Sequence, residues 1–217
     1  MKMKTILLSV TLLAGMFVSN VAMACENCGK GDPAVELRGA MQKLWSDHMQ
    51  WTFATVDAFY HNQNGLNAQL NRLLQNQKDI GAAIVPFYGQ AAGDKLADLL
   101  TTHIKDAIPV LKAVQLDDQP ALKKALADWY ANAQEIADFL AAANPKYWKQ
   151  ADMREMMKKH IDQTTAYSIE LLKNNYDVAV KKYDEANDHM KTMSDELAMG
   201  IVKQFPDKFK KIIAEKK

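Results

Sequence analysis

The sequence predicts an all-α protein, an antiparallel bundle of about six helices behind a cleaved N-terminal signal peptide. Three observations carry that expectation. From Pro33 onward, apolar residues recur at intervals of three and four almost without a break. The interruptions are short and built from Asn, Asp, Gly or Pro, which suits tight connections between antiparallel neighbours. Nine Gly and six Pro in 217 residues leave too little punctuation for a strand-rich fold, and no strand–turn–strand pattern competes.

Each element can be placed in order. Asp32-Pro33 reads as a cap followed by proline at the first helical position, opening a helix to about Tyr60. Asn62-Gln63-Asn64-Gly65 is a turn, and a second helix covers roughly Leu66 to Val85, ending near Pro86. A third runs from about Gln90 to Val114, where Pro109 is expected to kink it or cut it short. Asp117-Asp118-Gln119-Pro120 caps a fourth that continues to about Ala143, and Asn144-Pro145 breaks the chain. The fifth spans about Ala151 to Lys173 and the sixth about Tyr176 to Lys203. Phe205-Pro206 stops the last helix before a short amphipathic tail (Phe205 to Ile213), which could dock a partner.

The first residues read as a targeting segment. Lys2 and Lys4 precede an apolar run from Ile6 to about Val18, followed by Ala22-Met23-Ala24, the small-residue context of signal cleavage. The run is shorter than the ~20 residues a membrane helix needs, and no later stretch of the chain reaches that length. Residues 1–24 are therefore read as signal peptide, 25–34 as a short Cys-x-x-Cys tail and 35–217 as one helical domain, periplasmic or secreted. Cleavage leaves Cys25 first. A lipid anchor through Cys25 is the minority alternative, because Ala22 stands where a lipoprotein signal carries Leu. Gly29 follows Cys28 where covalent haem attachment needs His, so Cys25 and Cys28 read first as a local disulfide and second as a soft-metal pair.

Charge narrows the partners. The chain carries 27 basic and 26 acidic residues, and losing Lys2 and Lys4 leaves 25 basic against 26 acidic. There is no excess to neutralise a phosphate backbone, so nucleic acid is not an expected partner. Gly-rich phosphate loops, Gly-x-Ser-x-Gly elbows and His-Glu-x-x-His motifs are missing from the sequence.

Four of the five histidines share one local frame: Asp47-His48-Met49, Thr102-His103-Ile104, Lys159-His160-Ile161 and Asp188-His189-Met190. Each sits in a different expected helix and in phase with apolar neighbours, which directs all four imidazoles inward. His61 falls at a helix end and is expected to be exposed. Thr52 and Thr164, each four residues after a histidine, hint at internal duplication. A buried imidazole needs partners for its N–H and its lone pair, and a shared metal ion would satisfy several lone pairs at once. The alternative is four histidines that are structural or scattered along the bundle.

The candidate metal ligands are His48, His103, His160 and His189, with Glu185 and Glu196 in phase with His189. A His/carboxylate set points to zinc or iron. Met49, Met153, Met156, Met157 and Met193 near these histidines raise copper as a weaker option, and haem between two inward histidines is a further one. The di-iron pattern of paired Glu-x-x-His motifs is not met. Arg72, Asn76 and Asp79 share one face of the second helix, as a solvated ion-pair network or as a buried network behind the histidines. Trp129, Asn132 and Glu135 on the fourth helix read as packing and capping polarity.

The string RLLQNQKDIGAAIVPFYG (Arg72 to Gly89), with LWSDHMQWT before it and IVKQFPDKF after it, resembles a family of small exported bacterial all-helical proteins without an established activity. The resemblance covers about Leu44 to Phe209 and implies export and a single domain. Some members carry a glycosyltransferase label. A short all-helical chain offers no α/β sheet for a nucleotide sugar, so the label is not adopted, and no catalytic residue is transferred. The expected function is metal binding through inward histidines, for storage, buffering or delivery. An oxidative enzyme using the same site and a structural or interaction protein without metal are the alternatives, and a protein partner or homo-oligomer is compatible with all three.

Overall fold

The computed structural model describes residues 31–210. The signal segment, Cys25 and Cys28, and Ile212 and Ile213 of the tail lie outside the described residues. Six helices follow one another: α1 (Pro33–His61), α2 (Gln63–Tyr88), α3 (Gln90–Gln115), α4 (Gln119–Ala143), α5 (Gln150–Leu172) and α6 (Tyr176–Gln204), with a 3₁₀ turn at Pro206–Phe209. No strand occurs among the described residues.

The boundaries have local causes. Asp32 accepts the Ala34 N–H at 3.0 Å to start α1, and Asp118 accepts the Ala121 N–H at 2.9 Å to start α4. Asn62 serves two helices: its own N–H caps the end of α1 on the Ala58 carbonyl, and its side chain accepts the Gly65 N–H at 3.2 Å to open α2. Gly89 turns the chain from α2 into α3 with φ +84°, a region that favours glycine.

Pro86 and Pro109 both lie inside their helices, and neither stops its helix at once. α2 passes through Pro86 to Tyr88, and α3 passes through Pro109 to Gln115. Both prolines and the residues four before them, Ala82 and Lys105, face solvent. Water can therefore satisfy each carbonyl left without a helical N–H, and packing elsewhere along the helix carries it past the break.

Each helix packs against its neighbours in the chain, and α6 returns against α1, closing a ring. α5 also touches α1 and α3, so the odd-numbered helices meet across the centre. The core is a single cluster in which Met49, Ile80, Ile136, Ile161, Leu171, Met190 and Ile201 are essentially sealed from solvent. The first part of the tail is used internally. Phe205 and Phe209 pack on Phe87 with ring centroids 5.8 and 5.7 Å away and stay partly exposed.

Trp148, in the α4–α5 connection, is buried against Gly200 of α6. A Cβ at Gly200 would press into the indole, with Cδ1 and Cε2 both at 2.7 Å. Ala at this position gains up to ~1 kcal/mol of helix propensity, but displacing a buried tryptophan costs about 3 kcal/mol. Steric loss wins. Gly200→Ala is expected to lower stability by about 2 kcal/mol and to red-shift tryptophan emission, as read by urea denaturation and fluorescence. An unchanged denaturation midpoint would show that the indole can move aside freely.

Candidate functional site

Three of the four histidines meet at the centre. His48 on α1, His103 on α3 and His160 on α5 are 1%, 2% and 3% exposed. His160 lies between the others, its ring centroid 5.6 Å from that of His48 and 5.7 Å from that of His103. α5 packs against both α1 and α3, which brings these three side chains together.

The helical hairpins repeat one arrangement around this centre. The residue 29 positions after each histidine lies on the second helix of the same hairpin: Gln77 after His48, Asn132 after His103 and His189 after His160. The carbonyl four positions before each histidine receives a polar side chain from that second helix. Asn76 Nδ2 donates to the Leu44 carbonyl at 3.0 Å, and Asn132 Nδ2 donates to the Leu99 carbonyl at 3.2 Å. His189 Nε2 bonds the Met156 carbonyl at 3.0 Å. The three hairpins thus share a spacing and a carbonyl contact, with Asn76 taking the contact in the first of them.

These contacts orient the imidazoles. Because Asn132 spends its amide N–H on Leu99, its Oδ1 accepts from His103 Nδ1–H at 2.9 Å. His103 Nε2 is then left as a buried lone pair without a partner. Gln77 Nε2 donates to the Leu73 carbonyl at 2.7 Å and stands 3.3 Å from His48 Nδ1, while its Oε1 is unpartnered. His160 Nδ1 is also buried without a partner, since His189, at the equivalent place in the third hairpin, bonds Met156 instead.

Burial dominates the electrostatics. Desolvation drives the imidazole of His48 down to about 3 and that of His103 to about 4, and holds His160 well below its ordinary value. Mutual repulsion between the imidazolium forms pushes His48 and His160 further in the same direction. All three rings are therefore neutral at pH 7, and His103 and His160 each keep an unpartnered ring nitrogen.

A cavity of about 110 Å³ opens above them, toward the end of the bundle that carries the α1–α2 and α3–α4 turns. Its base is formed by the three histidines with Trp129 and Thr164, and its walls by residues such as Val56, Leu73 and Leu111. Partly exposed Phe59, Leu66 and Leu70 and exposed Ile108 form the rim.

The remaining sequence candidates go elsewhere. His189 is half-buried on the α5–α6 seam and does not line the cavity. Glu185 and Glu196 are exposed. The buried stripe of α6 runs through Ala186, Met190, Met193, Leu197 and Ile201, one position off the His189 phase, which turns both carboxylates to solvent. Met49, Met153, Met157 and Met193 are core packing, and no methionine lines the cavity. Among the described residues, no group of three or more His, Cys, Asp or Glu side chains stands in a ready metal-holding arrangement. His61 is exposed and bonds the Leu171 carbonyl at 2.9 Å.

The α2 polar cluster divides. Arg72 lies 3.6 Å from Asp47 and 3.7 Å from Asp79 near the surface, whereas Asn76 and Gln77 are fully buried behind His48. Asn132, read from sequence as packing polarity, is the partner of His103. The shared 29-residue spacing was the available signal for it. No protein-family model matches the chain, and neither curated proteins nor solved structures provide a match.

Proposed function

We propose that this protein binds a transition-metal ion through His48, His103 and His160, outside the cytoplasm, for storage, buffering or delivery. The observation that carries the proposal is the meeting of three neutral, buried imidazoles, two of them with unpartnered ring nitrogens. Two imidazoles sharing one ion through bonds of about 2.1 Å keep their centroids roughly 5 Å apart, close to the 5.6 and 5.7 Å separations of the ring contacts. The ring nitrogens do not converge in this arrangement, so the rings would have to rotate to meet on one ion. Asn132 already does what an outer partner of a metal-bound histidine does, holding Nδ1–H so that Nε2 is free. His48 reaches the same state if the Gln77 amide turns over and offers its Oε1 to Nδ1–H.

Neutral imidazoles suit zinc or iron. Copper loses its argument from thioethers, since the methionines lie away from the cavity. A porphyrin is much larger than a space of about 110 Å³. Untagged protein from metal-replete cells is expected to carry one ion per chain by elemental analysis. His103→Ala and His160→Ala should lose it, and Asn132→Leu should weaken affinity 10- to 100-fold, as is typical of removing an outer partner. Metal-free protein that also fails to bind added zinc or ferrous iron in calorimetry would end the proposal.

A further inference from the structure

We infer that the cavity above the three histidines takes an unbranched aliphatic chain, whose polar end stays outside at the rim. The metal ion is not required for it.

The lining selects hydrocarbon. Val56, Leu73, Ile104 and Leu111 form the walls, and no Asp, Glu, Lys or Arg lines the space. The polar atoms around the base are covered: Trp129 Nε1, His103 Nε2, His160 Nδ1, Thr55 Oγ1 and Thr164 Oγ1 expose essentially no surface. A molecule inside therefore meets carbon on nearly every side. A charged or hydrogen-bonding group would give up its hydration there without gaining a partner. Water gains no more, since cavities lined by Leu, Ile and Phe stay dry and accept apolar molecules instead.

Depth separates a chain from a ring. On α2 the lining runs from Leu73 up to Leu66, and on α3 from His103 up to Leu111, about 10–12 Å along the helix axes. A volume of about 110 Å³ spread over that depth is a narrow channel, whereas a ring needs nearer the ~150 Å³ of an engineered cavity that takes benzene. An extended chain advancing ~1.3 Å per carbon fills the channel with about eight carbons. At the rim, Phe59, Leu66 and Leu70 are partly exposed and Ile108 is exposed, so the apolar path reaches solvent. Asn62, Gln63 and Asn64 in the adjoining turn are exposed and can meet a polar end there. The described chain enters α1 and leaves α6 at the opposite end of the bundle, where Arg38 pairs with Asp195, which favours a separate molecule over a segment of this chain.

Straight-chain 1-alkanols from butanol to decanol are the probes, titrated into metal-free full-length protein in EDTA while the methyl signals of Leu66, Leu70, Ile104 and Leu111 are followed by NMR. Affinity is expected to rise about threefold to fourfold with each added methylene, to become submillimolar by 1-octanol, and to level off at about eight carbons. The isomer 3,3-dimethyl-1-butanol, equal to 1-hexanol in carbon number but wider, should bind at least ~10-fold more weakly. Ala107 lines the channel and is partly exposed, so Ala107→Leu should narrow it and weaken 1-octanol binding by ~10-fold with little change in the urea midpoint. The inference is overturned if 1-octanol at ~1 mM shifts none of these methyls, if affinity does not climb with chain length, or if the branched isomer binds as tightly as 1-hexanol. A folded Ala107→Leu protein that binds 1-octanol unchanged overturns it as well; if that variant does not fold, the series on the unaltered protein decides alone. Elemental analysis of the same protein before EDTA treatment reports on the metal proposal separately, so each idea can fail without the other.

Discussion

Between pH 7 and pH 5 the metal-free protein is expected to lose about 6 kcal/mol of folding stability, roughly 2 kcal/mol for each of three histidines. The sign follows from the direction of the shifts. His48, His103 and His160 titrate below their ordinary value in the folded protein. As pH falls below about 6.5 the unfolded chain takes up protons that the folded chain refuses, and stability drops by up to ~1.4 kcal/mol per pH unit per histidine. The loss levels off only when the folded protein itself protonates, near 4 for His103 and near 3 for His48. A domain with an ordinary reserve of about 5–15 kcal/mol then approaches unfolding near pH 5.

Urea denaturation in EDTA at pH 7, 6 and 5, followed by circular dichroism, measures this directly. His160→Leu should flatten the dependence by about a third, because one of three buried histidines is gone. Equal stability at pH 7 and pH 5 would mean that the three imidazoles are solvated in the folded state, contrary to their burial. A bound ion adds to the same dependence, since protons compete for the imidazole nitrogens.

The helices were legible because their cause is local. Apolar period, Asp32 and Asp118 as caps, and the Asn62 turn all act within a few residues. How far a helix runs past Pro86 or Pro109 depends on whether the freed carbonyl meets water, which is a property of the assembled bundle. The site was legible in part. Phase with apolar neighbours placed His48, His103 and His160 inward, but phase cannot separate an inner helix from an outer one. α6 is an outer helix of the ring, so His189 ends on a seam and Glu185 and Glu196 face solvent. Neither Gln77 nor Asn132 is legible from sequence as a histidine partner, because an amide has no strong preference for a site and only its pairing with a histidine 29 residues earlier gives it one.

Gly81→Val is expected to destabilise the protein by about 3 kcal/mol or more, and the reason lies in how closely α2 approaches α3. A Cβ at Gly81 would sit 2.5 Å from the Gly93 carbonyl oxygen and 2.8 Å from Ala97 Cβ. The reciprocal Cβ at Gly93 would meet the Gly81 carbonyl oxygen at 2.7 Å. Backbone against backbone leaves no flexible side chain to swing away, so the helices themselves must separate. Gly39 on α1 supplies the contrast: it is exposed, and a Cβ there has no neighbour within 4 Å. Gly39→Ala should therefore stabilise by about 0.5–1 kcal/mol through helix propensity alone. The consequence of Gly81→Val reaches the candidate site, because Gln77, one turn earlier on α2, contacts His48. Moving α2 outward lengthens that contact and loosens Leu73 in the cavity wall. Urea titration should show the midpoint falling by more than ~1 M at an m-value near 2 kcal/mol/M, and NMR should show the His48 ring signals moving with it. A Gly81→Val protein of native stability would mean that α2 and α3 are not in backbone contact, and the support behind His48 would then have to come from α1 alone.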